Sequence, residues 1–190
     1  MSSDTIRKVI EELLRAPAEV KNKLPRALEA VGKYGIEKAL DENPDFLARL
    51  LTQLRKADAA RVFNDVSGAA AQFPELFWEG IRSRTGKYPG LKSLLEKAER
   101  DIHVNIEAAD SPFKCHFIVE KRKIKGGSGL LPFTEEDFRF MGPTETLMGL
   151  FIGDLPLGFS NLQLQTAGHS GWMSRVGPIM REISKLLKGA

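Results

Sequence analysis

At Asp101 the spacing of apolar residues changes from that of a helix to that of a strand, and this switch limits the fold more than any other feature. Before it, Ile6, Val9, Ile10, Leu13 and Leu14 recur at helical spacing after the capping residues Ser3 and Asp4. Phe46, Leu47, Leu50, Leu51 and Leu54 form a second stripe behind Asn43-Pro44, an N-cap followed by proline. Weaker helical patterns run over 26–40, where Gly32 and Gly35 interrupt Leu28, Val31, Ile36 and Leu40, over 57–71, over 74–83 and over 91–100. After the switch, Ile102, Val104 and Ile106 alternate with His103, Asn105 and Glu107, and Phe113, Cys115, Phe117 and Val119 repeat the alternation. Phe138 and Phe140 predict a further strand, and Pro143 opens a helix bearing Leu147, Leu150 and Phe151. Leu162 and Leu164 alternate with Gln163 and Gln165 in another strand, and a wide apolar face from Trp172 to Leu187 marks a last helix. Helices followed by strands and helices make an α+β chain. The turn at 85–90 divides it into a helical region, 1–88, and an α+β domain, 89–190.

Charge excludes some functions. Residues 1–100 hold 18 Lys+Arg against 15 Asp+Glu, and residues 101–190 hold 10 against 10, so the net charge of +3 marks no nucleic-acid-binding face. The single cysteine, Cys115, allows no intrachain disulfide and fits a reducing compartment. The N-terminus is charged throughout, unlike a secretory signal. The longest apolar stretch, 141–164, is broken by glycines, prolines and acids, so no transmembrane helix is expected through it. The expectation is a soluble, cytoplasmic protein.

Several short motifs suggest chemistry and do not complete it. Gly168-His169-Ser170-Gly171 lacks the second glycine of a nucleophile elbow, which Trp172 replaces, and no histidine follows Ser170. Ser170 reads as a helix cap instead. Cys115 and His116 are neighbours on a strand and point to opposite faces, so with His103 they assemble no metal site. Gly126-Gly127-Ser128-Gly129 lacks the Gly-Lys-Ser/Thr of a phosphate loop and reads as a hairpin or loop. Gly142-Pro143-Thr144-Glu145-Thr146 is explained by a turn, a helix start and an acid near the positive helix end. Neither catalytic residues, nor a metal, nor a cofactor is expected.

From about 91 to 187 the chain resembles the sterol carrier protein type 2 family. The resemblance rests on Asp101-Ile102-His103-Val104-Asn105-Ile106, on 113–119, on Glu136-Asp137-Phe138-Arg139-Phe140, on 144–154 with Leu150-Phe151-Ile152-Gly153, on 160–164, and on Gly168 before the last helix. It implies a small, mostly antiparallel five-stranded sheet covered by helices and enclosing an apolar tunnel for a sterol, fatty acid or acyl-CoA.

Apart from the resemblance, an apolar pocket with few polar groups suits a lipid, because each buried methylene contributes about 0.8 kcal/mol without a polar partner. Methionines concentrated in the last third can repack around varied chains. The candidate lining is Leu147, Leu150, Phe151, Phe159, Leu162, Leu164, Trp172, Met173, Val176 and Met180. The function expected is non-catalytic binding or transfer of a lipid. Lys121, Arg122, Lys123 and Lys125 are candidates for transient contact with a membrane surface. The alternative is an interaction module whose helical half docks a partner or a second copy, with the C-terminal half as scaffold.

Overall fold

The computed structural model describes residues 2–132, 137–154, 164–168, 171 and 173–189, with the backbone alone at Met173. Seven helices come first: α1 (Ser3–Leu14), α2 (Pro17–Tyr34), α3 (Ile36–Glu42), α4 (Phe46–Lys56), α5 (Ala59–Asp65), α6 (Ala69–Thr85) and α7 (Pro89–Glu96). Strands β1 (Ile102–Ala108), β2 (Lys114–Glu120), β3 (Lys123–Ser128) and β4 (Phe138–Gly142) follow. Then come α8 (Thr144–Ile152), β5 (Gln165–Gly168) and α9 (Met173–Leu187). The α+β class expected from the sequence is the one observed.

Helix boundaries depart from the sequence pattern where proline and glycine act against expectation. Pro25 lies inside α2 and Pro74 inside α6, although the helical patterns in the sequence start at 26 and at 74. An internal proline costs about 3 kcal/mol. The buried face of Val20, Leu24, Ala27, Leu28 and Val31 outweighs that in α2, since full burial of one such large side chain contributes roughly 1.5–3 kcal/mol. The helix expected over 26–40 is divided at Gly35, whose φ of 97° ends α2. Asn43 does not cap α4. Its Nδ2 donates to the Ala39 carbonyl at the end of α3, and α4 begins after Asp45.

The five strands form one sheet in the order β3-β2-β1-β4-β5. The β1–β4 pair is parallel and the other three pairs are antiparallel. Joining edge strand β3 to β4 therefore requires the chain to cross the sheet. Asn105 holds this crossing: its Nδ2 donates to the Leu131 carbonyl at 3.2 Å and its Oδ1 accepts from the Leu131 N–H at 2.8 Å. The side chain is fully buried, so both polar ends need these partners.

Gly126, Gly127 and Ser128 belong to β3 and not to a loop, because α6 lies directly on them. A Cβ at Gly126 would stand 2.5 Å from the Trp78 ring and 2.6 Å from the His116 carbonyl oxygen. Glu75 of α6 accepts from the Ser128 N–H at 2.7 Å. The helical half and the sheet thus share a packed aromatic layer, with Trp78 5.0 Å from Phe117 and Phe77 4.7 Å from Phe151 between ring centroids.

Candidate functional site

Helix α8 is the element around which most candidate residues gather. After Glu145 its sequence, TETLMGLFI, carries no charge and is dominated by large apolar side chains, and such a run is driven into the interior. It packs against α4, α9 and the β1–β4 pair, and Thr144, Leu147, Met148, Gly149, Leu150, Phe151 and Ile152 are all buried. Pro143 precedes it and offers no side-chain cap. Asp110, distant in sequence, supplies the cap: its Oδ1 accepts from the Thr144 N–H at 2.8 Å and from the Thr144 hydroxyl at 2.6 Å. Ser111 Oγ shares a further hydrogen bond with the same hydroxyl, at 2.7 Å.

A cation from the helical half clasps the other side of α8. Arg55 of α4 pairs with Asp154, just beyond the C-terminal end of α8, and stands 3.9 Å from Glu145 in its first turn. Its guanidinium lies across Gly149, where a Cβ would come 3.5 Å from the guanidinium carbon. The Arg55 Nε is buried without a hydrogen-bond partner among the described residues.

The candidate lining residues fall into three groups. Leu147, Phe151 and Val176 have no accessible surface, so their surroundings in this conformation are protein, and a ligand reaches them only if that packing opens. Leu150 at 9%, Met180 at 5% and the half-buried Leu164 keep some exposure and lie at the margin of the core. Phe159, Leu162 and Trp172 lie outside the described residues, and Met173 opens α9 with its backbone alone described.

The residues weighed for chemistry separate in the fold. Cys115 is buried among apolar side chains, which pushes its thiol up to about 12 and leaves it protonated and unreactive at neutral pH. His116 faces the other way, with Nδ1 3.1 Å from the Gly129 carbonyl. Among the described residues, no three His, Cys, Asp or Glu side chains are placed to hold a metal ion. Gly168 closes β5 at a φ of 124°, while His169 and Ser170 lie outside the described residues. No helix among the described residues is long and apolar enough to cross a membrane.

An open groove of about 920 Å³ runs between α2 and α6, with Leu28, Ile36 and Leu76 at its base. Its carboxylates are already engaged. Glu29 bonds Lys33, which holds its carboxyl below the usual range, Glu79 pairs with Arg82, and Glu75 is tied to β3. The apolar stripes of α4 and α6 are buried: Phe46, Leu47, Leu50, Leu51 and Leu54 on one, Phe73, Leu76, Phe77, Trp78 and Ile81 on the other.

Sequence reasoning missed Arg55, Trp78 and Asp110. Each acts on a partner distant in the chain, and the sequence carried one usable signal: two adjacent glycines inside an otherwise regular strand, which mark a close approach by another element.

No family model matches the sequence, and no curated protein matches it. Among solved structures the chain is similar to sterol carrier protein 2 from Yarrowia lipolytica in its apo form. Identity is 16%, the match covers 62% of this chain and 91% of that one, and the TM-score is 0.39. A likeness this distant carries no argument about function, which rests on the residues themselves.

Proposed function

We propose that this chain binds or transfers a lipid, fatty acid or acyl-CoA without catalysis, with the acyl chain lodged against α8, α9 and the β4–β5 side of the sheet. The observation that supports this reading is the uncharged, buried run from Leu147 to Ile152 in α8, with charged partners near its two ends, at Asp110, Glu145 and Asp154. A methylene chain inserted beside such a helix replaces one set of apolar contacts by another and leaves no polar group unpaired. Leu150, Met180 and Leu164 make the first contacts, because they keep exposure. Leu147, Phe151 and Val176 form the floor reached once the packing opens. Phe159, Leu162, Trp172 and Met173 complete the lining in this proposal.

Titration with a fluorescent fatty acid tests it. The expected result is saturable, stoichiometric binding that unlabelled fatty acid reverses. Absence of saturable binding across chain lengths would remove the lipid reading.

A further inference from the structure

The hairpin between β2 and β3 turns in two residues, Lys121 and Arg122, because Glu120 and Lys123 are paired in register. Both turn residues have positive φ, 50° and 64°. A two-residue turn with both central residues left-handed is the type that Asn-Gly forms with least strain. Branching at Cβ is not needed to make the position costly: any L side chain is disfavoured there relative to glycine. The chain therefore places two long cations where a stable fold alone would favour Asn-Gly, and an observed backbone outlier of this kind is a ground for inferring function.

Cations are concentrated around the turn. Lys121, Arg122 and Lys123 are exposed and have no ion-pair partner among the described residues, and Lys125 stands 3.7 Å from Glu120. Four cations against one carboxylate leave an excess of three at one hairpin end, within a C-terminal region whose total charge is zero. By contrast, Lys21, Arg49, Arg82 and Lys87 on the helical half each sit beside a carboxylate.

We propose that the β2–β3 turn is an electrostatic contact for an anionic lipid bilayer. A short convex tip fits a flat charged surface. A single-stranded nucleic acid instead calls for a basic groove that tracks its backbone and aromatic side chains that stack on its bases, and 120–125 contains no aromatic residue. The proposal rests on the lipid-binding reading for its purpose, since a carrier has to meet the membrane that supplies its cargo, but its geometry is independent of the ligand site.

The test is Lys121→Asn combined with Arg122→Gly in the full chain, with sedimentation against vesicles of phosphatidylcholine mixed with phosphatidylglycerol and against pure phosphatidylcholine. Each cation near an anionic surface changes partitioning about fivefold, so the double variant is expected to bind the mixed vesicles about 30-fold more weakly at low salt. Its Tm should rise by a few degrees, because the turn is relieved of strain. The variant thus stays folded, and its fatty-acid affinity in solution should equal that of the parent. Equal binding of parent and variant, or no preference of the parent for the mixed vesicles, overturns the proposal. Turn-dependent binding to duplex DNA in place of vesicles overturns it in favour of nucleic acid. Loss of fatty-acid binding by both proteins, with vesicle binding intact, would remove the lipid-carrier reading and leave the surface contact standing.

Discussion

At the β3 edge of the sheet, α6 presses Trp78 onto Gly126 and Glu75 onto Ser128, whereas at the β5 edge Gln165, Thr166, Ala167 and Gly168 all remain exposed. One wall of the fold is closed by a helix from the first half of the chain. The other carries no buried side chain on its outermost strand. The difference teaches where an apolar ligand could enter with least disruption. Opening the β3 wall would break a continuous aromatic layer of Phe73, Phe77, Trp78, Phe117 and Phe151. Entry beside β5 meets Leu164 at the margin of the core.

The largest effect should come from the closed wall. Trp78→Ala removes a fully buried indole that bridges α6, β2 and α8, and should cost about 3–5 kcal/mol in urea unfolding. We expect the parent protein to unfold in one transition, because this layer belongs to both the helical region and the sheet. A loss below about 1 kcal/mol would mean that α6 is not the clasp described.

Asp110→Ala should cost about 1–2 kcal/mol, the usual range for an N-cap, because the Thr144 N–H and hydroxyl both lose an acceptor. Asp110→Asn keeps an acceptor oxygen and should recover part of that loss. Stability of Asp110→Ala equal to that of the parent would show that the carboxylate does not fasten α8.

Alkaline titration probes the same closed wall through Cys115. The thiol is raised from 9.0 to about 12 in the folded chain by burial. A group whose folded value is raised gives stability that is complete below its unfolded value and is lost as pH climbs toward the folded one. Between pH 7 and pH 10 this thiol should therefore take away about 1 kcal/mol, and Cys115→Ala should flatten that part of the pH profile. An unchanged slope in the variant would contradict the burial assigned to Cys115.

The smallest effects belong to the open edge. Gln165→Ala and Thr166→Ala should each change stability by no more than about 0.5 kcal/mol, as exposed positions do. Losses comparable to that of Asp110→Ala would show that β5 is covered in solution, and would end the contrast between the two edges.

Much of the layout was legible in the chain because it depends on local periodicity. Alternation around Val104 and Phe117 marked β1 and β2, and the stripe from Phe46 to Leu54 marked α4. Two expectations failed where tertiary burial overrode a local signal: Pro25 and Pro74 sit inside helices whose buried faces hold them there. The glycines at 126 and 127 read as a hairpin or loop, since only the arrival of Trp78 explains them inside a strand. Asp110 and Thr144 lie 34 residues apart, and Arg55 and Asp154 lie 99 apart, so no pattern within either segment could announce those pairs.

The proposed lipid-carrying role is tested most directly by native mass spectrometry of protein purified under mild conditions, which reports bound mass and subunit count together. The account predicts a population heavier than the bare chain by the mass of a fatty acid or lipid, released on mild activation and restored by adding fatty acid. A single species at the mass of the bare chain, unchanged after incubation with fatty acids and acyl-CoA, would contradict it.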